Sequence, residues 1–423
     1  MAFRDVPPKT DFPAQELEII RFWKESRAFE KMVARHQGQP RWSFLDGPIT
    51  ANNPMGVHHG WGRTYKDVML RFRTMQGHEL RYQNGFDCQG LWVEVNLERE
   101  LGFVSKKDIE DFGLARFVLK CKERVLRFAA VQTEQSLRLG YWMDWNDPAQ
   151  LRCLADLLVE HPDRIVTVDG PFGPVTDTVE QIVARLGLPE LGGSYFTFSN
   201  ENNFMIWQFL KSCWEQGWVY RGDDVMPWCP RCATGISQHE IVTEGYRELT
   251  HSAVTLRFPL RGRDHESLLV WTTTPWTLTS NVAAAVGPDL SYAKVRQGSE
   301  ILYLSAGTLH MLHGSYQLLA ELKGTDLEGW QYSGPFDELG PSQRPGGYTY
   351  LEQLIRDVKQ SAAEAHQVIL WDAVGETEGT GIVHIAPGCG AEDFQLGKEH
   401  HFPLIAPLDE EGHFLEGFDW LAG

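Results

Sequence analysis

The stretch Trp42-SFLDGPITANNPMGVHHGWGRTYK-Asp67 constrains the fold of this chain more than any other part of it. Its apolar start, Trp42 to Leu45, reads as a short strand. Gly47, Pro48, Asn52, Asn53, Pro54 and Gly56 then turn the backbone. A helical pattern opens at His58-His59-Gly60 and continues from Thr64 to Met75, with Val68, Met69 and Phe72 on one side. Strand, turn and helix N-terminus in that order present unpaired backbone N–H groups and the positive end of a helix dipole, which suits an anion such as a nucleotide phosphate. Paired histidines at that point add donors for charge developing on a transferred phosphate.

The rhythm repeats. Gly77 ends the helix, Glu79 to Tyr82 reads as the next strand, and the loop Asn84 to Glu94 opens another helix. Such alternation predicts a parallel α/β sheet with ligands at the carboxyl ends of its strands. Residues 14–36 space Leu17, Ile20, Trp23 and Phe29 as one amphipathic helix outside the core, and Arg116 to Gln132 is a second long helix. Residues 149–193 read as a helix, a strand-like piece (Arg164 to Gly170) and a helix (Thr178 to Leu186), an insertion with no assigned chemistry. A further helix is expected over Asn202 to Gln216. From Thr250 onward short β-rich pieces alternate with Gly/Pro turns: 252–258, 267–273, 281–286, 292–295, 301–305, 368–371 and 381–385. That spacing predicts a β-barrel-like domain. The boundaries read as 1–145 for the N-terminal helix and first α/β half, 146–249 for a connective region, and 250–423 for the β-rich domain.

At 423 residues the chain exceeds what one hydrophobic core usually serves. Its net charge of -18 argues against unaided binding to polyanions, although a local basic face would suffice for a nucleic acid. No apolar run reaches the roughly 18 residues of a membrane span, and Met1 to Gln15 has no apolar signal core. A cytoplasmic protein without membrane contact is expected. Of the seven cysteines only Cys229 and Cys232 are close in sequence, so a disulfide framework is not expected.

Three constellations carry chemistry. Asp87, at a loop-to-helix junction, can pair with an ammonium group while Pro48 and Trp92 flank it, or can simply cap the helix. Cys229-Pro230-Arg231-Cys232 is a knuckle that offers two thiolates of the four ligands Zn2+ requires, with His239 as a candidate third. Thr272, Thr273 and Thr274 form a row of hydroxyls, which alone would express only β-propensity. They acquire meaning beside Gly379-TGIVHIAPGCGAED-Phe394, which contributes His384 and Asp393.

The stretch 42–67 resembles the first signature region of the class I aminoacyl-tRNA synthetases, and Gly85-FDCQGLWV-Glu94 narrows the resemblance to the isoleucyl-tRNA synthetase family. With Lys66-Asp67 on the family's Lys-Asp, its His-Ile-Gly-His tetrad falls on Gly56-Val57-His58-His59. The fourth histidine is kept as His59, whereas Gly56 stands at the first histidine and His58 at the glycine. The resemblance implies that this exchanged tetrad binds ATP with Mg2+, with Gly56, His58 and His59 in the catalytic positions. It also implies that Asp87 holds the α-amino group of isoleucine. Because the family's glycine lies close to adenine, His58 is expected to reshape the nucleotide site, and the sequence leaves open which way its ring turns. Gln89 and Trp92 stand where relatives usually carry His and Pro.

Trp271-TTTPWTLTS-Asn281 and Gly379–Phe394 resemble the two motifs lining the hydrolytic editing site of the isoleucyl, valyl and leucyl enzymes. The resemblance implies that Thr272, Thr273 and Thr274 hold a ribose and an attacking water, with Asn281 in the same motif. Asp393 would fix the ammonium of a mischarged amino acid, and His384 would border its side chain. Ile385 and Cys389 replace residues often polar in relatives. The need for such a site is energetic: one methylene discriminates by about 1–3 kcal/mol, isoleucine against valine being the standard instance of that limit. For zinc, the family places a partner cysteine pair after the inserted domain.

The resemblance covers essentially the whole chain. It implies the first half of a Rossmann-type catalytic domain carrying an inserted, incomplete editing domain. The expected reading is the N-terminal part of a monomeric isoleucine–tRNA ligase whose partners are tRNA(Ile), isoleucine and ATP. The family's Lys-Met-Ser-Lys-Ser loop does not occur, so a fragment not competent alone for aminoacylation is expected. A self-standing trans-editing hydrolase and a non-catalytic tRNA-binding remnant are the alternatives.

Overall fold

A computed structural model describes residues 9–238, 241–242, 246–347 and 358–423. The chain divides into two compact units, Met1–Tyr220 and Arg221–Gly423. This division differs from the boundaries expected at 145/146 and 249/250. Among the described residues, no helix is long and apolar enough to cross a membrane.

In the first unit, the single helix expected over 14–36 is two helices, α1 (Phe12–Ser26) and α2 (Ala28–His36). They are broken at Arg27, whose φ of 52° is left-handed and cannot continue a helix. The run expected as a strand from Trp42 gives only β1 (Arg41–Trp42), and the next pairing segment is β2 (Ile49–Thr50). Helix α3 (Val57–Met75) starts with Gly56 as its N-cap and covers the whole histidine-bearing pattern. Strand β3 (Glu79–Leu80) pairs parallel with β1. Gly85–Asp87, expected as loop, forms β4, which lies parallel between β2 and β7 (Tyr195–Phe196). That strand depends on partners remote in sequence. A Cβ at Gly85 would lie 2.3 Å from the Tyr195 ring, so only glycine permits this pairing.

Helices α4 (Leu91–Leu101), α5 (Lys107–Phe112) and α6 (Leu114–Arg138) follow, and α6 buries Val125, Leu126, Ala129, Ala130, Gln132, Thr133 and Ser136 along one face. Helix α7 (Pro148–Leu158) is started by Asp147, whose side chain accepts from the Ala149 amide. The hairpin β5 (Ile165–Gly170) and β6 (Gly173–Thr178) leads to α8 (Val179–Ala184), and α9 (Asn200–Glu215) comes last. β6 escaped the sequence reading because GPVTDT has no alternation of apolar and polar residues. The segment expected as an insertion contributes to the core: Leu151, Leu154, Leu158, Ile182 and Val183 pack in one cluster with Phe86, Val125 and Leu126.

The second unit begins with a two-stranded knuckle, β8 (Trp228–Cys229) and β9 (Thr234–Gly235). One mixed sheet of eight strands follows: β10 (Val254–Pro259), β11 (Glu266–Thr272), β12 (Ala283–Val286), β13 (Ser291–Gln297), β14 (Glu300–Ser305), β15 (Gln317–Lys323), β16 (Val368–Leu370) and β17 (Val383–Ile385). Its order is β15-β13-β14-β11-β17-β12-β16, with β10 paired to β11, and the described pairing is an open path. β15 was not expected, since QLLAELK carries no strand periodicity. Its pairing with β13 shifts register between Lys294 and Val295 of β13, which leaves Leu319 of β15 as the extra residue. The neighbouring β11 and β17 carry the two sequence motifs, joined at Trp271 opposite Val383.

Candidate functional sites

In the first unit, the segment from Asp46 to Gly56, which carries β2 and leads into α3, is clamped at both ends. Asp46, nearly buried, pairs with Lys66 and accepts from the Gly85 amide at 2.8 Å, while Lys66 also donates to Gly47 O at 2.8 Å. At the other end α6 holds the loop. Arg124 donates to Asn52 Oδ1 and O (2.6 and 3.0 Å), Gln132 Nε2 to the carbonyls of Thr50 and Asn53 (3.0 and 2.8 Å), and Gln135 accepts from the Met55 amide at 2.7 Å. Sequence reasoning missed these α6 residues. Their spacing on one helix face was the available signal, but it reads equally as an amphipathic stripe.

This clamp presents the first turn of α3. The Gly56 amide donates to His59 Nδ1 at 3.1 Å, so the neutral His59 ring carries its proton on Nε2 and keeps a donor free. Burial, then the neighbouring His58 and Arg63, lower the His59 pKa, which favours that neutral form. The His58 and His59 rings are 3.9 Å apart. His58 folds back over Gly56: a Cβ there would lie 3.0 Å from His58 Cε1. The exchanged glycine and histidine therefore fit each other in space.

Asp87 ends β4 beside Thr50 of β2, and Thr50 Oγ1 donates to its carboxylate at 3.1 Å. Thr197 Oγ1 and the Gln89 amide approach the other oxygen at 3.5 and 3.4 Å. Pro48 is half-buried just before β2, and Trp92 is 54% exposed, held through its carbonyl by Asn52 Nδ2 at 2.5 Å. The strand ends thus assemble a carboxylate and hydroxyls around a place open to solvent.

The second unit forms a cavity of about 400 Å³ lined by Thr272, Thr273, Thr274, His384 and Asp393, and also by Trp271, Trp276, Thr277, Trp371, Glu378 and Cys389. Glycine at 379, with φ of +54°, lets the Trp271 ring lie where a Cβ would be 2.4 Å from it. The Thr274 amide donates to Thr272 Oγ1 at 3.0 Å, which fixes the hydroxyl row. Thr277 Oγ1 donates to Thr274 O at 2.8 Å and so accepts from His384 Nε2 at 3.0 Å. Burial drives His384 down to about 4, so its ring is neutral with the proton on Nε2. Asp393, in the first turn of helix Ala391–Glu399, accepts from the Ala386 amide at 2.9 Å. Burial raises its carboxyl to about 6 against that hydrogen bond. Burial likewise pushes the Cys389 thiol up to about 12. Asn281 does not join this cavity. Its amide is buried and used by Ala283 O (2.9 Å) and the Tyr332 hydroxyl (2.7 Å). Trp271, Trp276 and Thr277 lie within the motif Trp271–Asn281 but carried no role in the sequence reading, and Thr277 gains one only where the β11–β17 pairing brings the two motifs together and it meets His384.

Cys229 and Cys232 lie at the knuckle turn, and burial raises the Cys232 thiol. Among the described residues, no group of three or more His, Cys, Asp or Glu side chains could hold a metal ion, and His239 lies outside them. Two sulfurs fill half of a tetrahedral set, so the described residues do not by themselves fit Zn2+.

A family model described as tRNA synthetases class I (I, L, M and V) matches residues 18–152 and 174–371. The unmatched 153–173 span the end of α7 and β5. The isoleucine–tRNA ligase of Thermobifida fusca is 35% identical over 422 residues, covering 99% of this chain and 34% of that protein. That of Pyrococcus horikoshii is 34% identical, covering 98% and 34%. The chain thus spans about a third of the length of the curated relatives it matches. Among solved structures, the editing domain of the P. knowlesi cytosolic leucyl-tRNA synthetase is 13% identical with a TM-score of 0.25, covering 35% of this chain and 62% of that one. The ternary complex of Agrobacterium radiobacter K84 LeuRS with tRNA and LeuAMS is 12% identical with a TM-score of 0.29, covering 94% and 44%. Likenesses that slight carry no argument here.

Proposed function

The chain belongs to the class I tRNA synthetases of the isoleucine, leucine, methionine and valine group, and from that premise we propose that it is the N-terminal part of an isoleucine–tRNA ligase. In that reading the loop 46–59 holds the phosphates of Mg-ATP, with Gly56, His58 and His59 at the helix start. Asp87, flanked by Pro48 and Trp92, receives the ammonium of isoleucine. The partners are then isoleucine, ATP and tRNA(Ile), in a monomeric cytoplasmic enzyme. Cys229 and Cys232 would supply two ligands of a zinc site completed elsewhere. The observation that carries the reading is the pairing of Thr50 with Asp87 beside the start of α3, since a helix N-terminus and a carboxylate at adjacent strand ends suit a phosphate and an ammonium.

The second unit supplies the hydrolytic activity of the same proposal. Water adds to the carbonyl carbon of a valyl ester, the bond to the ribose oxygen breaks, and that oxygen takes a proton to leave free valine and tRNA. Asp393 holds the substrate ammonium, the Thr272–Thr274 hydroxyls hold ribose and water, and neutral His384 borders the side-chain space. All of these groups belong to one unit, which favours hydrolysis as the activity to test on this chain directly. Val-tRNA(Ile) deacylation by the chain, lost on Asp393→Ala, is the expected result; wild-type deacylation no faster than the buffer rate would remove the editing assignment. For the ligase assignment, a longer parent chain should catalyse isoleucine-dependent pyrophosphate exchange, and exchange driven by another amino acid instead would refute it.

A further inference from the structure

We propose that Arg63 is a positioning residue for the nucleotide half-site, a buried and unpaired cation that fixes the loop Thr50–Met55 from beneath and adds positive potential under phosphates bound at the start of α3. The inference rests on the ATP-site reading above. Arg63 lies one turn after His59 on α3 and is 1% exposed. Its Nη1 donates to Ser136 Oγ at 2.5 Å and reaches Gln132 O at 3.5 Å and Met55 Sδ at 2.9 Å. Ser136 Oγ in turn donates to Gln132 O at 2.7 Å, and Gln132 grips the carbonyls of Thr50 and Asn53. The guanidinium therefore touches the loop at Met55 and braces the helix residues that hold the rest of it.

The charge itself needs explaining. Nε and Nη2 have no hydrogen-bond partner, and the Phe86 and Trp145 rings flank the group at 5.8 and 5.6 Å. The carboxylate that acts on it most, Asp46, is already taken by Lys66 and the Gly85 amide. An apolar residue of similar length would fill this space without the cost of desolvating a cation, and the two rings offset only part of that cost. Burial lowers the Arg63 pKa only to about 10, so the charge persists at neutral pH. An anion above the loop is the counter-charge the position lacks, and the same field disfavours protonation of His59, whose neutral ring keeps its outward donor.

The test compares wild type, Arg63→Met, Arg63→Gln and Arg63→Lys of the full 423-residue chain. Binding of ATP, inorganic triphosphate and adenosine is measured by calorimetry, and the His59 ring is titrated by NMR. Neutral variants should weaken ATP and triphosphate by about tenfold while leaving adenosine unchanged, and Arg63→Lys should recover most of that loss. The His59 midpoint should rise in the neutral variants and return in Arg63→Lys. Equal losses for adenosine and triphosphate, or a folded neutral variant that binds both like wild type, would overturn the proposal. Should Arg63→Met fail to fold, Arg63→Gln keeps a hydrogen-bonding group and reads the charge alone. Wild type that binds neither ATP nor triphosphate refutes the ATP-site reading instead; the His59 titration then decides, and an unmoved midpoint in Arg63→Gln sinks the role of Arg63.

Discussion

The loop before α3 and the threonine-lined cavity of the second unit solve the same problem, holding polar groups ready for a ligand, by opposite means. In the first unit the presenting residues are open: Gly56 and His58 are exposed, and Trp92 is 54% exposed. Order comes from behind, through Arg63, Arg124, Gln132, Gln135 and Lys66. In the second unit Thr272 at 6% and His384 at 8% exposure are enclosed, although Thr273 at the mouth is exposed, and burial shifts the acid–base chemistry of His384 and Asp393. His384 falls to about 4 and Asp393 rises to about 6, and His59 in the first unit is lowered from its ordinary value. A site ordered by enclosure has its protonation states fixed by desolvation.

Four measurements sharpen or break this contrast. The largest effect concerns the support of the first site. Leu151→Ala, in the segment 149–193, should cost about 3–4 kcal/mol, seen in denaturant melts and in lost amide protection across β4 and α6. A loss below about 1 kcal/mol would show that the segment is not part of that core. Next, Asp393→Ala should slow deacylation of Val-tRNA at least about 100-fold, roughly 3 kcal/mol, because it removes a buried charge facing an ammonium. A change under threefold would place the ammonium elsewhere.

The third effect follows from enclosure. Asp393 ionises near 6, so its charged form is present above that pH and is lost below it. Deacylation should fall about tenfold per unit as pH drops below 6; a rate level down to pH 4.5 would break the link between burial and function. The smallest effect tests the open site. Gly56→His alone forces a Cβ to 3.0 Å from the His58 ring, whereas Gly56→His with His58→Gly removes that ring. The single variant should weaken ATP binding severalfold more than the double, a coupling of about 1 kcal/mol. Identical affinities in wild type, single and double variants would mean that the exchanged pair does not shape the nucleotide site.

The first half of the site was legible wherever chemistry is local. Gly56 as the start of a helix and His59 in its first turn follow from neighbours in sequence, as do the CxxC turn and the cluster of threonines. The elements that escaped depend on distant partners. Gly85–Asp87 is a strand because Gly85 admits the Tyr195 ring and its amide meets Asp46. The contribution of 149–193 to the core was not legible, because its apolar residues face partners that no single stretch reveals. Asn281 shared a motif with the threonines, yet Tyr332 draws its side chain away from the cavity.

Sequence alone therefore determined the family, the order of the motifs and the residue types available to each site, since these rest on residues close together in the chain. Only tertiary structure decided which of them meet and in what state. Hydrogen-bond partners and burial come from segments tens to hundreds of residues apart: Gln132 on Thr50, Val383 beside Trp271, Thr277 on His384. Those contacts put the His384 proton on Nε2 and brace Arg63 beneath the loop, whereas the His59 tautomer and the place of His58 are set by Gly56 a few residues away.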